Sequence, residues 1–349
     1  MRLQPIEERS IVEGRVQTAR PWLCHALLVM GFATVSGLPG TRVSAQTQSP
    51  TFPTRPVTLV VPYSPGTGVD LAARAIAERL AERWHQPVVV ENRVGASGNI
   101  GAEAVARAAP TGHVLLVAAN TFTITPAFAR SLPYDPVADF APVARLVTAG
   151  YALALNPAQP MQDLAGLLAR ARAEPGRLAY ASPGSGTAMH LAMELLKLRL
   201  GVDMLHVPYK GMAGAITDVV SGQVPITFLP LGPLLPQASA GRLRLLAVTG
   251  PARLAALPGV PTFREQGAAF MDEVDAWYGL LAPARTPPAV IARIHADSVA
   301  VLEEPALRVT LARQHLAIDT ATPEAFAALI RADLARWARV VSEAHVSAD

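Results

Sequence analysis

The chain has 349 residues, 51% hydrophobic and 16% charged, a balance that excludes a disordered polyelectrolyte and leaves enough apolar material for two domains with buried cores. The formal net charge is +3, and the first 45 residues hold five Arg and three Glu, so the remainder carries 25 basic against 24 acidic residues. No basic face is implied, and nucleic acid is excluded as an expected partner because phosphate binding needs clustered Lys and Arg.

At the amino terminus, Arg15 and Arg20 precede an uncharged stretch from Pro21 to Thr41 with an apolar centre at Ala26 to Val35, and Val43-Ser44-Ala45 supplies small residues before Gln46. That order of basic, apolar and small regions reads as a secretory signal peptide over residues 1–45, with a linker over 46–52. A membrane span needs ~20 apolar residues, about twice the length of this centre. The single cysteine, Cys24, lies inside the signal, so an exported chain is expected to hold no thiol for disulfide, metal or catalysis.

Val57 to Val61 is a β-branched run expected to form a buried strand. A polar glycine loop follows, then an amphipathic helix over 70–83 with Asp70 as its cap. A second strand at Val88-Val89-Val90 leads into the glycine-rich stretch from Gly95 to Gly101, and a third over 114–118 ends at Asn120-Thr121-Phe122-Thr123. The pattern over 146–155 is strand-like. Further strands are expected over 177–181, 205–207, 224–228 and 244–248, with helices between them. An extended stretch over 275–281 precedes helices over 288–302 and 323–341, the last with Thr322 as cap and Pro323 at its first position. Strands alternating with helices predict parallel-rich α/β sheets.

The stretch from Tyr180 to His190, YASPGSGTAMH, reads as strand end, glycine loop and helix start. Glycines allow close backbone approach, and the first N–H groups of a helix lack internal partners and carry a partial positive charge, which suits an anion. Val61 to Asp70 is a second stretch of the same kind. The remaining chemistry is sparse. No His or Cys pair has metal-ligand spacing, and Gly95-x-x-Gly98-x-x-Gly101 has the wrong spacing for a dinucleotide turn. No phosphate loop is present, so neither a cofactor nor a metal is expected. Ser185 lacks a nucleophile elbow. A secreted hydrolase using Ser185 with His190 or His206 as base is the enzymatic alternative, and a receptor signalling to a membrane sensor kinase is another. A secreted, cysteine-free, two-lobed α/β chain with polar turns at strand ends has the design of a solute-binding receptor that closes by a hinge.

The segments Pro62 to Asp70, Val90 to Gly101, Tyr180 to His190, Val207-Pro208-Tyr209-Lys210-Gly211, Gly222-Gln223-Val224, Gly241 to Thr249, Val260 to Gly267 and Trp277 to Pro283 resemble the Bug receptors, the periplasmic substrate-binding components of tripartite tricarboxylate transporters. The match runs through nearly all of the chain after the signal, in family order. The resemblance implies a type II periplasmic-binding-protein fold: two α/β lobes around a cleft, joined by two crossing strands near Thr148 to Ala152 and Ala276 to Leu281. Lobe one is expected over 53–149 and 275–349, lobe two over 150–274. It further implies a monomer that holds a small organic carboxylate on backbone N–H groups and hands it to the transporter's membrane subunits. Ligand contacts carried over to this sequence are Tyr63, Pro65, Gly66, Thr67, Gly68 and Thr121 from lobe one. Lobe two contributes Ser182, Gly184, Ser185, Gly186 and Thr187, with His190 and Tyr209 as lining.

Three positions depart from the family pattern. Thr67 stands where a second consecutive Gly is common, Phe122 where His often stands, and Leu229-Pro230 follows Phe228 where an Asp is common. Lacking a carboxylate to pair with a ligand ammonium, the cleft is expected to prefer acids without an amino group. Lys210 is the one cation expected near the cleft.

Overall fold

The computed structural model describes residues 52–254 and 256–347; the signal-peptide reading over 1–45 falls outside them. Two mixed sheets organise the described chain. In the first, β1 (Val57–Val61) lies between β2 (Val88–Asn92) and β3 (Val114–Ala119) and runs parallel to both. The helices α1 (Gly68–Trp84) and α2 (Asn99–Ala106) make the crossovers that parallel pairing requires. Val57, Leu59, Val60 and Val61 are all buried, as expected for a strand covered on both faces. Beyond β3 come α3 (Thr121–Ile124) and β4 (Phe140–Ala149).

The second sheet holds β5 (Tyr151–Leu155), β6 (Ala179–Ser182), β7 (Leu205–Pro208), β8 (Ile226–Pro230) and β9 (Arg244–Val248). The helices α4 (Leu164–Ala173), α5 (Ala188–Leu200), α6 (Met212–Val220) and α7 (Leu231–Ser239) separate these strands. The chain then returns to the first sheet as β10 (Ala276–Pro283) and continues through α8 (Pro288–Leu302), α9 (Pro305–Arg313), β11 (Leu316–Ala321) and α10 (Pro323–Glu343). The sheet orders are β2-β1-β3-β10-β4-β11 and β7-β6-β8-β5-β9. Each therefore has a central parallel strand flanked by two parallel neighbours, then an antiparallel strand: β10 against β3, and β5 against β8. β1 and β6 are topological equivalents.

The pattern over 146–155 is two strands broken at Gly150, the first pairing in one sheet and the second in the other. The return passage, residues 249–275, contains a short 3-10 segment at Ala269–Val274, and β10 pairs wholly within the first sheet. Asn120 ties the two ends together: its Nδ2 donates to the Asp275 carbonyl at 3.0 Å and its Oδ1 accepts the Trp277 N–H at 2.9 Å. Beside this tie, Asp275 Oδ1 is buried without a hydrogen-bond partner. Burial, reinforced by the Asp272 and Asp319 charges against a Thr249 hydrogen bond, pushes the Asp275 carboxyl up to about 7. A raised folded-state value means that stability is lost as pH rises from the unfolded-state value near 4 toward 7. The Asp275→Asn variant is therefore expected to be more stable than wild type at pH 8, with the gain vanishing toward pH 4, in urea melts across that range.

Apolar clusters cover both faces of each sheet. Trp337 and Val340 of α10 join Leu153, Leu191 and Phe228 in one of them, so the last helix packs on the core of the second sheet as well as on β4. Thr322 caps α10 by accepting the Ala325 N–H at 3.2 Å, with Pro323 at its first position. Among the described residues no helix is long and apolar enough to cross a membrane.

Candidate functional site

Two turns leave the carboxyl ends of the equivalent strands β1 and β6, and two bonds recur in both. Before α1, Gly66 takes φ +79°, a region open to glycine at little cost. Thr67 is the N-cap residue, with φ −70° and ψ 158°, and its Oγ1 donates to the Ser64 carbonyl at 2.9 Å. The helix thus starts at Gly68, which corrects the expected cap: Asp70 is the third helical residue, not the cap. From there Asp70 Oδ2 reaches back to accept the Gly66 N–H at 2.9 Å, a variant of the capping box. Asp70 is 1% exposed. Arg74 donates to the same oxygen at 3.0 Å, and Asn92 Nδ2 donates to Oδ1 at 2.8 Å. Burial opposes ionisation of Asp70, but the bonds from Arg74, Asn92 and Gly66 outweigh it and hold the carboxyl below its usual range.

Hydroxyl groups surround this first turn. The Tyr63 and Thr121 hydroxyls are hydrogen-bonded to each other, and burial pushes the Tyr63 phenol up to about 12. A Cβ added at Gly68 would lie 2.9 Å from the Tyr278 hydroxyl, so glycine here lets β10 approach the start of α1. Burial also raises the Tyr278 phenol to about 12. Both phenols stay protonated at neutral pH and remain donors. Tyr278 stands beside the first turn, a placement that sequence reasoning missed although the residue lies inside the quoted segment Trp277 to Pro283. Pro65, Gly66 and Gly68 are exposed and Thr67 is half-buried, whereas Phe122 points into the core.

Before α5, Gly186 takes φ +71° and Gly184 φ +148°. Thr187 has φ −72° and ψ 157°. Its Oγ1 donates to the Gly184 carbonyl at 2.8 Å and accepts the His190 N–H at 3.3 Å. His190 stands where Asp70 stands in the first turn, and its Nδ1 accepts the Gly186 N–H at 3.1 Å. The amide of Gly186 is therefore engaged inside the turn. Because the Thr187 hydroxyl is a cap, Thr187→Ala is expected to cost about 1 kcal/mol of stability, and Thr187→Ser to restore it, as read from urea midpoints.

A polar stack supports the turn from behind. The His190 and His206 rings stack with centroids 3.7 Å apart, and His206 lies 5.0 Å from the Tyr180 ring. Glu194 Oε1 accepts the Tyr180 hydroxyl at 2.5 Å and Lys197 Nζ at 2.9 Å, and lies 3.8 Å from His190 Nε2. Burial lowers both His190 and His206 to about 4, so both rings are neutral at pH 7. Ser182 Oγ accepts the Gly184 N–H at 3.2 Å and sits 2.6 Å from His206 Nε2. His206 thus faces Ser182, and His190 Nδ1 is held by Gly186. Among the described residues neither histidine is hydrogen-bonded to Ser185.

Tyr209 contributes backbone: its N–H donates to the Ser182 carbonyl at 3.0 Å, and its carbonyl lies 3.3 Å from where a Gly184 Cβ would be. Its hydroxyl turns away to donate to Asp218 at 2.6 Å. Leu229 is buried and Pro230 leads directly into α7, so no carboxylate stands at this strand end. Among the described residues no three His, Cys, Asp or Glu side chains converge as metal ligands. A hollow of about 550 Å³ is lined by Arg172, Glu194, Lys197 and Asp203 and by no residue of either turn.

A sequence profile described as the tripartite tricarboxylate transporter family receptor matches residues 72–346. The protein BugT of Bordetella pertussis is 33% identical over 304 residues, covering 86% of this chain and 93% of BugT. Among solved structures, Rpa4515 of R. palustris with adipate superposes with a TM-score of 0.70 at 33% identity, covering 85% of this chain and all of that one. MatC of Rhodopseudomonas palustris with bound malate has a TM-score of 0.66 at 32% identity, covering 83% and 100%. The chain belongs to the tripartite tricarboxylate transporter receptor family, whose solved members have this two-sheet periplasmic-binding-protein fold.

Proposed function

We propose that this protein is a periplasmic receptor that captures a small organic carboxylate between two lobes and delivers it, as a monomer, to the membrane subunits of a tripartite tricarboxylate-type transporter. Lobe one is residues 53–149 with 275–349 and lobe two is 150–274, and export depends on the signal peptide over 1–45. The observation that carries this reading is the duplicated glycine turn at the carboxyl ends of β1 and β6, since ligands of open α/β sheets bind at the carboxyl ends of strands. The relatives seen with adipate and malate bring the ligand class with them.

The ligand contacts are Tyr63, Pro65, Gly66, Thr67, Gly68 and Thr121 on one side and Ser182, Gly184, Ser185, Gly186 and Thr187 on the other, with His190, Tyr209 and Tyr278 shaping the walls. Charge-assisted bonds from backbone donors contribute about 1.5–3 kcal/mol each. With Leu229-Pro230 at the end of β8 in place of an acid, nothing there pairs with an ammonium, and acids without an amino group are preferred. Calorimetric titration with adipate, malate, glutamate and aspartate tests this. Binding of a plain acid with glutamate and aspartate silent is expected, and tight binding of either amino acid would overturn the preference.

A further inference from the structure

The two passages between the sheets each turn at a glycine, and one acid lies where they meet. The first glycine is Gly150, between β4 and β5. The second is Gly250, at φ +102°, a conformation that a residue with a side chain rarely takes. Ala276 pairs with Ala149, so Asp275 falls level with Gly150, and its Oδ2 lies 3.8 Å from where a Gly250 Cβ would be. Thr249 fastens the joint: its Oγ1 accepts the Tyr151 N–H at 2.8 Å, and its own N–H donates to the Tyr151 carbonyl at 3.0 Å. A few such residues at element ends are where a hinge absorbs its rotation.

A hollow of about 290 Å³ beside the joint is lined by Arg145, Asp272, Glu273, Asp275, Asp319 and Arg336. Three of its four carboxylates have a guanidinium: Asp319 has Arg145 at 2.8 Å, Glu273 has Arg336 at 2.7 Å and Asp272 has Arg264 at 2.6 Å. Among the described residues Asp275 has no such partner, and its Oδ1 is buried without a hydrogen bond. The other groups nearby do not supply one. Asp333 of α10 is paired with Arg336 at 2.6 Å, and the His315 ring lies 3.5 Å from where a Gly232 Cβ would be. The Tyr151 phenol, on β5, is raised by burial and stays neutral. Burial first, then the Asp272 and Asp319 charges, outweigh the Thr249 bond and the Arg145 charge and raise the Asp275 carboxyl to about 7. Any arrangement that returns this side chain to water restores its ordinary value near 4. The described arrangement is therefore favoured at low pH and disfavoured by a growing factor as pH climbs from about 4 to about 7.

We propose that Asp275 is a protonation switch in the hinge: neutral, it holds the joint as described, and ionised, it drives the lobes toward an arrangement in which the carboxylate meets water. This rests on the two-lobe reading, with lobe one over 53–149 and 275–349 and lobe two over 150–274. A ligand that touches both lobes selects one arrangement, so its affinity follows the same protonation.

Single-molecule fluorescence energy transfer between dyes at Glu78→Cys on α1 and Gln223→Cys before β8, both exposed positions, reads the lobe separation, and Cys24→Ser removes the only native thiol. With Asp275 in place, the ratio of two separations is expected to change by about tenfold or more between about pH 5 and pH 8, since one pKa unit is a factor of ten. Asp275→Asn is expected to keep the low-pH ratio throughout. Asp319→Asn is expected to move the midpoint to lower pH, because a like charge is lost and Arg145 is freed; it carries the test if Asp275→Asn does not fold. A ratio that ignores pH while adipate or malate still changes the separation would overturn the switch and leave the two lobes standing. One separation, unmoved by pH or by either acid, would overturn both. An Asp275→Asn variant that shifts as its parent does, or an Asp319→Asn midpoint that stays put, would overturn the assignment to Asp275.

Discussion

Replacing Gly186 by Val is expected to lower carboxylate affinity by on the order of a hundredfold or more, about 3 kcal/mol, while the protein still melts cooperatively. Gly186 sits at φ +71°, where a β-branched residue is a genuine outlier and costs of order 1–3 kcal/mol. The chain escapes that cost by rotating the peptide, which breaks the bond from the Gly186 N–H to His190 and carries Ser185 and Thr187 with it. The turn lies between β6 and α5 rather than in a core cluster, so the damage stays local. Calorimetry beside a circular-dichroism melt checks it. Wild-type affinity in the folded variant would remove this turn from the site.

The largest stability loss is expected at Trp337. Its side chain is fully buried, among the biggest in the protein, and it carries α10 into the cluster built on the second sheet. Trp337→Ala is expected to cost about 3–5 kcal/mol, because the transfer term adds to a cavity that the surrounding sheet and helices cannot close. Trp337→Phe is expected to cost much less. The indole Nε1 is buried without a hydrogen-bond partner, unlike Trp277, whose Nε1 donates to Asp333 at 2.8 Å. Phe removes an unsatisfied donor and keeps most of the apolar volume. Urea unfolding gives the two values, and equal losses for Ala and Phe would contradict the packing role.

Much of the fold could be read from apolar runs bounded by turn residues. β1, β9 and α8 lie where the pattern puts them, and Thr322-Pro323 opens α10 as expected. β11 escaped because Leu316 to Ala321 is an edge strand with a mixed burial pattern, which leaves no continuous apolar run. α9 follows α8 after only two residues and has no side-chain cap to announce it.

The glycine turns were legible as strand end, glycine loop and helix start, but the cap of the first helix is Thr67 and not Asp70. Asp70 looked like a cap because acids favour helix starts. The spacing Thr67-x-x-Asp70 carried the better signal, a threonine cap answered three residues later, and Thr187-x-x-His190 repeats it with a neutral acceptor. Tyr278 was out of reach for a different reason, and His206 was named only as a possible base for Ser185, whereas it faces Ser182. Each meets its turn through pairing between strands: β10 against β3 for Tyr278, and β6 beside β7 with Tyr180 opposite His206. Such register is not encoded in local spacing.

The most direct measurement of the central claim is a thermal-shift screen of the exported protein against carboxylic acids of graded length and charge, with amino acids and neutral sugars as controls. A ligand that binds only the folded state adds RT ln(1 + [L]/Kd), about 2.7 kcal/mol at a hundredfold excess over Kd. Stabilisation by one class of acids and by none of the sugars is the predicted result. No shift with any acid, together with no organic acid released from the denatured protein in mass spectrometry, would contradict it.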